Sequence, residues 1–176
     1  TDDDVRVLAR TVIIATGAAY RKPPIENLLQ FENAGVYYGA TFMEAQLCRG
    51  EEAVVVGGGN SAGQAAVFLA QSAKRVHMLV RSRGLAESMS RYLIRRIEQN
   101  PAIVLRTNTE IVALEGDNHL EHVRWTDQRG NTETHDIRHV FLMTGAVPGT
   151  KWVEGCIALD AKGFIKTGPD LSPEDL

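Results

Sequence analysis

The sequence predicts a three-layer α/β domain carrying a β-meander, with short pieces of a second domain on either side. Three observations carry that prediction. The apolar run Val54-Val55-Val56 stops at Gly57-Gly58-Gly59, and the alanine-rich, helix-forming segment 60–70 follows it. Beyond it a second strand (75–80), an amphipathic helix (88–99, with Met89, Leu93, Ile94 and Ile97 on one face) and a third strand (103–105) come in alternation. Alternation of this kind reads as a parallel sheet covered by helices. The pattern then changes to short strands at 110–115, 120–126 and 131–135, the last two joined by Asp127-Gln128-Arg129-Gly130, before a further buried strand at 140–143. Short strands with a turn between them read as an antiparallel meander.

The glycine stretch says what such a domain is for. Gly57-x-Gly59-x-x-Ala62 fills the dinucleotide-binding pattern, which makes the fold Rossmann-like. Gly57 allows the sharp turn out of the strand, Gly59 leaves room for a pyrophosphate to approach the backbone, and Ala62 lets the helix pack close to the strand. The unpaired N–H groups at the helix start, together with its dipole, then face the phosphates. Gly57, Gly58, Gly59, Asn60, Ser61 and Ala62 are therefore the candidate cofactor-binding loop. The demanded strand and helix on its two sides favour dinucleotide binding over a merely tight turn.

The end of the second strand selects the nucleotide. An NAD site places Asp or Glu there, accepting from the ribose 2′-OH. Here Arg81-Ser82-Arg83 stands in that place with no acid beside it. Two guanidiniums and a hydroxyl suit a 2′-phosphate, which points to NADPH. Arg81 is the leading candidate, followed by Arg83, with Arg91 further off on the next helix. The alternative is a solvated loop that happens to be basic. Gly145, at the end of the strand 140–143, lies where ligands bind in such sheets, or is a plain turn glycine.

Taken in order, residues 5–9 alternate weakly and 11–15 form a buried-strand run ending at Thr16-Gly17. Residues 18–24, with Pro23 and Pro24, read as a linker, and 25–33 as irregular. A short extended piece at 35–39 precedes a brief helix through Cys48, capped by Thr41 with Glu44 at its third position. The tail 157–165 reads as a hairpin turned at Asp160-Ala161-Lys162-Gly163. The expected boundaries are 1–34 for the end of a first flanking segment and its linker, 35–148 for the nucleotide-binding domain, and 149–176 for a returning segment.

Composition narrows the class. The 176 residues are 44% hydrophobic and 23% charged with a net charge of -3, so no basic excess marks a nucleic-acid binder. The longest apolar runs are far too short to cross a bilayer. The chain opens Thr1-Asp2-Asp3-Asp4, with neither an initiator methionine nor a basic-then-apolar leader, and we expect a piece of a longer protein without a signal peptide. Two cysteines, Cys48 and Cys156, make no secreted disulfide framework and fit a reducing cytoplasm. His119, His122, His135 and His139 have no spacing that builds a zinc site, and His77 reads as a strand residue that packs or bonds locally.

At this point the chain resembles the central part of the pyridine nucleotide-disulfide oxidoreductases of the thioredoxin reductase type. Thr11-Val12-Ile13-Ile14-Ala15-Thr16-Gly17 is similar to the family's strand ending in Ala-Thr-Gly, Gly57 to Ala62 to its NADPH loop, and Val140 to Pro148 to its strand and Gly-x-x-Pro turn. The resemblance implies that 1–34 and 149–176 belong to an FAD domain, with Thr16 and Gly17 among the FAD-binding residues. It implies a full-length homodimer in which NADPH reduces FAD by hydride transfer and the flavin reduces an acceptor that these residues do not identify. Two departures stand out. The redox Cys-x-x-Cys expected just upstream of the central strand is replaced by Tyr38-Gly39-Ala40-Thr41-Phe42-Met43, and Ser82 and Ala86 occupy places where the family often has arginine. Three readings therefore remain: NADPH-to-FAD hydride delivery, a non-catalytic NADPH-binding sensor that regulates a partner, or a reductase of a ferredoxin-like protein or a small quinone.

Overall fold

The computed structural model describes residues 7–175. In chain order its elements are β1 (Ala18–Tyr20), β2 (Val36–Tyr37), α1 (Phe42–Leu47), β3 (Glu52–Val56), α2 (Asn60–Leu69), β4 (Arg75–Val80), α3 (Arg91–Glu98), β5 (Ile103–Thr107), β6 (Thr109–Glu115), β7 (His122–Asp127), β8 (Thr132–His135), β9 (Val140–Leu142) and β10 (Ala146–Pro148). They fall into two units, Arg21–Gly145 and the segments on either side of it.

The larger unit is built on a parallel sheet of order β2-β9-β3-β4-β5. Its strands are apolar on both faces because both faces are covered, as parallel sheets require. Successive side chains of β3 alternate between the two cores. Val55 packs with Ala62, Ala66 and Leu69 of α2 and with Leu93 and Ile97 of α3. Val54 packs on the other side with Leu114, Val123 and Trp125 of the meander β6-β7-β8. Helices, parallel sheet and meander are the three layers expected from the sequence.

Three local expectations are corrected. The apolar run 11–15 is not a strand: Val12 and Ile13 are 74% and 88% exposed, and a strand's N–H and C=O groups need a paired neighbour, which these lack among the described residues. Part of the expected linker is a strand instead, β1, paired antiparallel with β10 in the smaller unit. Helix α3 starts at Arg91 rather than Ser88: residues 85–89 form a separate turn on the Leu85 carbonyl, and Ser90 has extended backbone at the N-cap position without a side-chain cap bond. The start of the weakly alternating stretch 5–9 lies outside the described residues.

Residues 21–34, expected with the flanking segment, pack into the larger unit. A 3-10 turn at Leu28–Phe31 buries Leu28 and Phe31 in the meander-side core, and Asn27 Nδ2 donates to the Leu114 carbonyl at 2.9 Å. At the other end β10, expected inside the nucleotide-binding domain, pairs away with β1. The tail hairpin reduces to a single bridge, Leu159 to Ile165, whose turn is tied by Asp160 Oδ1 accepting from the Lys162 and Phe164 amides at 2.8 Å. The α1 cap forms as read: Glu44 accepts from the Thr41 amide at 2.9 Å while Thr41 Oγ1 accepts from the Met43 amide at 3.3 Å.

A cluster of titratable groups joins the parallel sheet to the meander. His77 on β4 is 3% exposed and its Nε2 donates to Glu52 Oε2 at 2.9 Å, while its Nδ1 is buried without a partner. Its ring packs 5.4 Å from Trp125 and 5.8 Å from His135, with the Arg106 guanidinium 5.1 Å over Trp125. Glu133 gathers Arg106, His135 and the Trp125 indole N–H. Burial pushes the His77 imidazole below its ordinary 6.5, against the pull of Glu52, so the folded state holds it neutral. The unfolded chain then takes up a proton that the native state resists, and stability falls as pH drops through the unfolded value. We predict that the urea midpoint falls between about pH 7.5 and about pH 5, and that His77→Gln flattens that fall. An unchanged slope in the variant would show that other groups set it.

Candidate nucleotide-binding site

The site begins where β3 ends. The Gly57 amide donates to the Leu79 carbonyl at 3.0 Å and the Met143 amide to the Val56 carbonyl at 2.8 Å, so the chain leaves β3 hemmed in by β4 and β9. Gly57 has φ +142°, and a Cβ there would lie 2.5 Å from the Met143 carbonyl oxygen and 3.1 Å from Ala62 Cβ. Only glycine at 57 and a small residue at 62 let α2 start this close to the sheet. Gly63 is in close contact too, but there a Cβ would meet the movable end of Met89, its Sδ at 2.8 Å, rather than backbone.

Gly59 is different. It is the N-cap of α2 with extended backbone, and a Cβ on it would find nothing nearer than the Ser88 carbonyl oxygen at 3.9 Å. No side chain caps this terminus. The first N–H groups of a ten-residue helix therefore face open space on the Gly59 side. That is the room and the polarity a pyrophosphate requires. Asn60 and Ser61 open the helix, and the Asn60 side chain turns aside to accept from the Ser90 amide at 2.8 Å.

The loop after β4 lies beside this turn, because β3 and β4 run in register with Val56 opposite Leu79. A Cβ on Gly58 would come 3.0 Å from Val80 Cγ1 and 3.9 Å from Ser82 Oγ. Arg81 and Arg83 are exposed and have no ion-pair partner among the described residues. The Ser82 hydroxyl donates to the Gly84 carbonyl at 2.7 Å, which leaves only its lone pairs to a ligand. No carboxylate occurs from Arg81 to Ala86. Arg81 also lines a cleft of about 210 Å³ with Asn108, Gln128 and Asp127 at the mouth of the meander.

Other candidates fall elsewhere. Gly145 has φ +96°, and its carbonyl accepts from the Arg21 amide at 2.9 Å, a turn's bond. Thr16 and Gly17 belong to the smaller unit, where Thr16 Oγ1 donates to the Gly149 carbonyl at 2.6 Å and the Gly17 carbonyl accepts from the Gly149 amide at 2.9 Å. Cys48 is fully buried between α1 and the sheet, its Sγ 3.6 Å from the Ala45 carbonyl, and burial pushes its thiol up. Cys156 is exposed in the other unit. Among the described residues no cluster of His, Cys, Asp or Glu is arranged to hold a metal, and no helix is long and apolar enough to cross a membrane.

Sequence reasoning missed Ser88. Its Oγ donates to the Gly58 carbonyl at 2.8 Å, across thirty positions of sequence. Reading the helix from 88 placed this serine inside it. The signal that could have corrected the reading is Ser90, a good N-cap immediately before Arg91-Tyr92-Leu93.

Fold and loop together define a Rossmann-like α/β domain with a nucleotide-binding type of fold. The model of the pyridine nucleotide-disulphide oxidoreductase family matches residues 1–174, and the chain belongs to that family. It is 35% identical over 159 residues to a thioredoxin reductase of Mycolicibacterium smegmatis, covering 90% of this chain and 50% of that protein. It is 30% identical over 158 residues to an NADH dehydrogenase of Bacillus subtilis, covering 89% of this chain and 30% of that one. The crystal structure of thioredoxin reductase from Streptococcus pyogenes superposes with a TM-score of 0.76 at 29% identity, over 95% of this chain and 54% of that structure's. The chain thus spans about a third to just over half of the length of these relatives. The thioredoxin reductase-like family uses FAD and NADPH.

The two glycines separate by stability. Gly57→Ala should destabilise the fold by about 2–4 kcal/mol, through the clash with Met143 and the positive φ. Gly59→Ala should stay within about 0.5 kcal/mol of the parent. Chemical denaturation measures both, and equal losses would mean that the open side of the loop has been misplaced.

Proposed function

We propose that this chain is the NADPH-binding part of a flavin-dependent oxidoreductase, in which hydride passes from NADPH to FAD in the full-length protein. The observation that carries the reading is the open, uncapped start of α2 at Gly59, set beside the loop of Arg81 and Arg83, which have no ion-pair partner among the described residues. Gly57, Gly58, Gly59, Asn60, Ser61 and Ala62 would hold the pyrophosphate, with the backbone donating and Ala62 keeping the helix close. Arg81 and Arg83 would hold the 2′-phosphate. When bound, the nicotinamide supplies the hydride and the flavin accepts it; the chain's own contribution is to anchor the phosphates so that the nicotinamide end is carried to a fixed place. On this reading the domain needs no acid, base or nucleophile.

A second reading concerns the acceptor. Cys48 is inaccessible with its thiol pKa raised, and the segment Tyr38 to Met43, where the family's dithiol was expected, contains no cysteine. A buried thiol of raised pKa is a poor nucleophile. These observations favour electron delivery from the flavin to an acceptor such as a ferredoxin-like protein or a small quinone, without a dithiol relay in this segment. A purely regulatory NADPH sensor is the rival. For the full-length protein we propose a cytoplasmic homodimer: free cysteines suit a reducing compartment, and thioredoxin reductase-like homologues are typically dimeric.

Nucleotide preference tests the assignment. Arg81→Ala should weaken NADPH binding by roughly 1.5–3 kcal/mol, the scale of a hydrogen bond to a charged group, and leave NADH nearly unchanged. Calorimetric titration of the full-length protein with each nucleotide reads the difference. Equal losses for both would remove the arginine from the 2′-phosphate.

A further inference from the structure

The peptide between Gly58 and Gly59 is the least constrained part of the proposed site. Glycine on both sides means that neither flanking residue opposes a flip of that peptide plane. The plane nevertheless matters, because in a trans peptide the Gly58 carbonyl and the Gly59 N–H point in opposite directions. Whatever holds the carbonyl also aims the N–H.

Segment 85–90 holds it. Leu85 and Met89 are buried in the helix-side core, and Met89 seats against Gly63, where a Cβ would come within 2.8 Å of its sulfur. The Ser88 and Met89 amides both donate to the Leu85 carbonyl, at 3.2 and 2.9 Å, which folds the segment into a turn. From this anchored turn two groups reach the glycine loop. Ser88 Oγ donates to the Gly58 carbonyl at 2.8 Å, and the Ser90 amide donates to Asn60 Oδ1 at 2.8 Å. The first turns the Gly58 carbonyl toward the segment, which leaves the Gly59 N–H pointing away from it, with no acceptor among the described residues. The second draws the Asn60 side chain off the start of α2.

We propose that Ser88 is a positioning residue of the nucleotide site, fixing the Gly58–Gly59 peptide so that the Gly59 N–H is aimed at the pyrophosphate before any ligand arrives. This rests on the reading of the loop as a nucleotide site. Ser88 acts on the part of the ligand common to NADPH and NADH, whereas Arg81 acts on the 2′-phosphate alone. Removing the hydroxyl therefore weakens both nucleotides by the same factor and leaves their ratio untouched.

The test is calorimetric titration of the full-length protein with NADP⁺ and with NAD⁺, comparing wild type, Ser88→Ala and Ser88→Thr, with the thermal midpoint of each. Ser88→Ala should lose about fivefold in affinity for both nucleotides, the scale of one net hydrogen bond, at an unchanged midpoint. Ser88→Thr, which keeps the hydroxyl, should restore both. Wild-type affinity in Ser88→Ala overturns the proposal, as does a loss confined to NADP⁺ or one that threonine fails to restore. Wild-type protein that binds neither nucleotide overturns instead the reading of the loop on which the proposal rests.

Discussion

The contact between Gly57 and its surroundings is the constraint on which the rest depends. With φ +142° and only 2.5 Å from a would-be Cβ to the Met143 carbonyl, the backbone turns out of β3 directly under β9. Ala62 closes the same space from the helix side at 3.1 Å. Because the turn is this tight, α2 starts against the sheet, its first amides end beside β4, and the loop after β4 comes alongside. A side chain at 57 would push the helix start away and separate the two groups of donors proposed to read a phosphorylated dinucleotide.

Much of this was legible because it depends on residue size and period. Val54 to Val56 and Val76 to Val80 announce buried parallel strands by mostly apolar character, and Gly57, Gly59 and Ala62 announce the turn by their small size. Thr41 and Glu44 announce the α1 cap because both halves of a capping box are visible within four residues. The failures share a cause. The run 11–15 has strand composition, yet a strand is made by its neighbour, and composition does not supply one. Ala18 to Tyr20 has weak strand composition but does have a neighbour, in β10. The Ser88 contact joins positions thirty apart, which no local pattern encodes.

The meander covers a sheet face that would otherwise leave Val54, Leu79 and Leu142 wet, and its Trp125 supplies the largest buried side chain. It brings His77, His135, Glu52, Glu133 and Arg106 into one polar seam at that boundary. None of these groups lies at the glycine loop. The seam belongs to the joining of layers, while the proposed nucleotide site lies at the C-terminal ends of β3 and β4.

The most direct measurement is a titration of full-length wild type and Gly59→Val with NADP⁺, alongside circular dichroism of both. The backbone at Gly59 is extended and the space outside it is open, so valine should be accommodated without loss of fold. Its side chain would fill the approach that the pyrophosphate needs. A folded variant that no longer binds NADP⁺, beside a wild type that does, is the predicted result. A folded Gly59→Val protein that binds NADP⁺ as tightly as wild type would contradict the account and reduce the glycine loop to a structural turn.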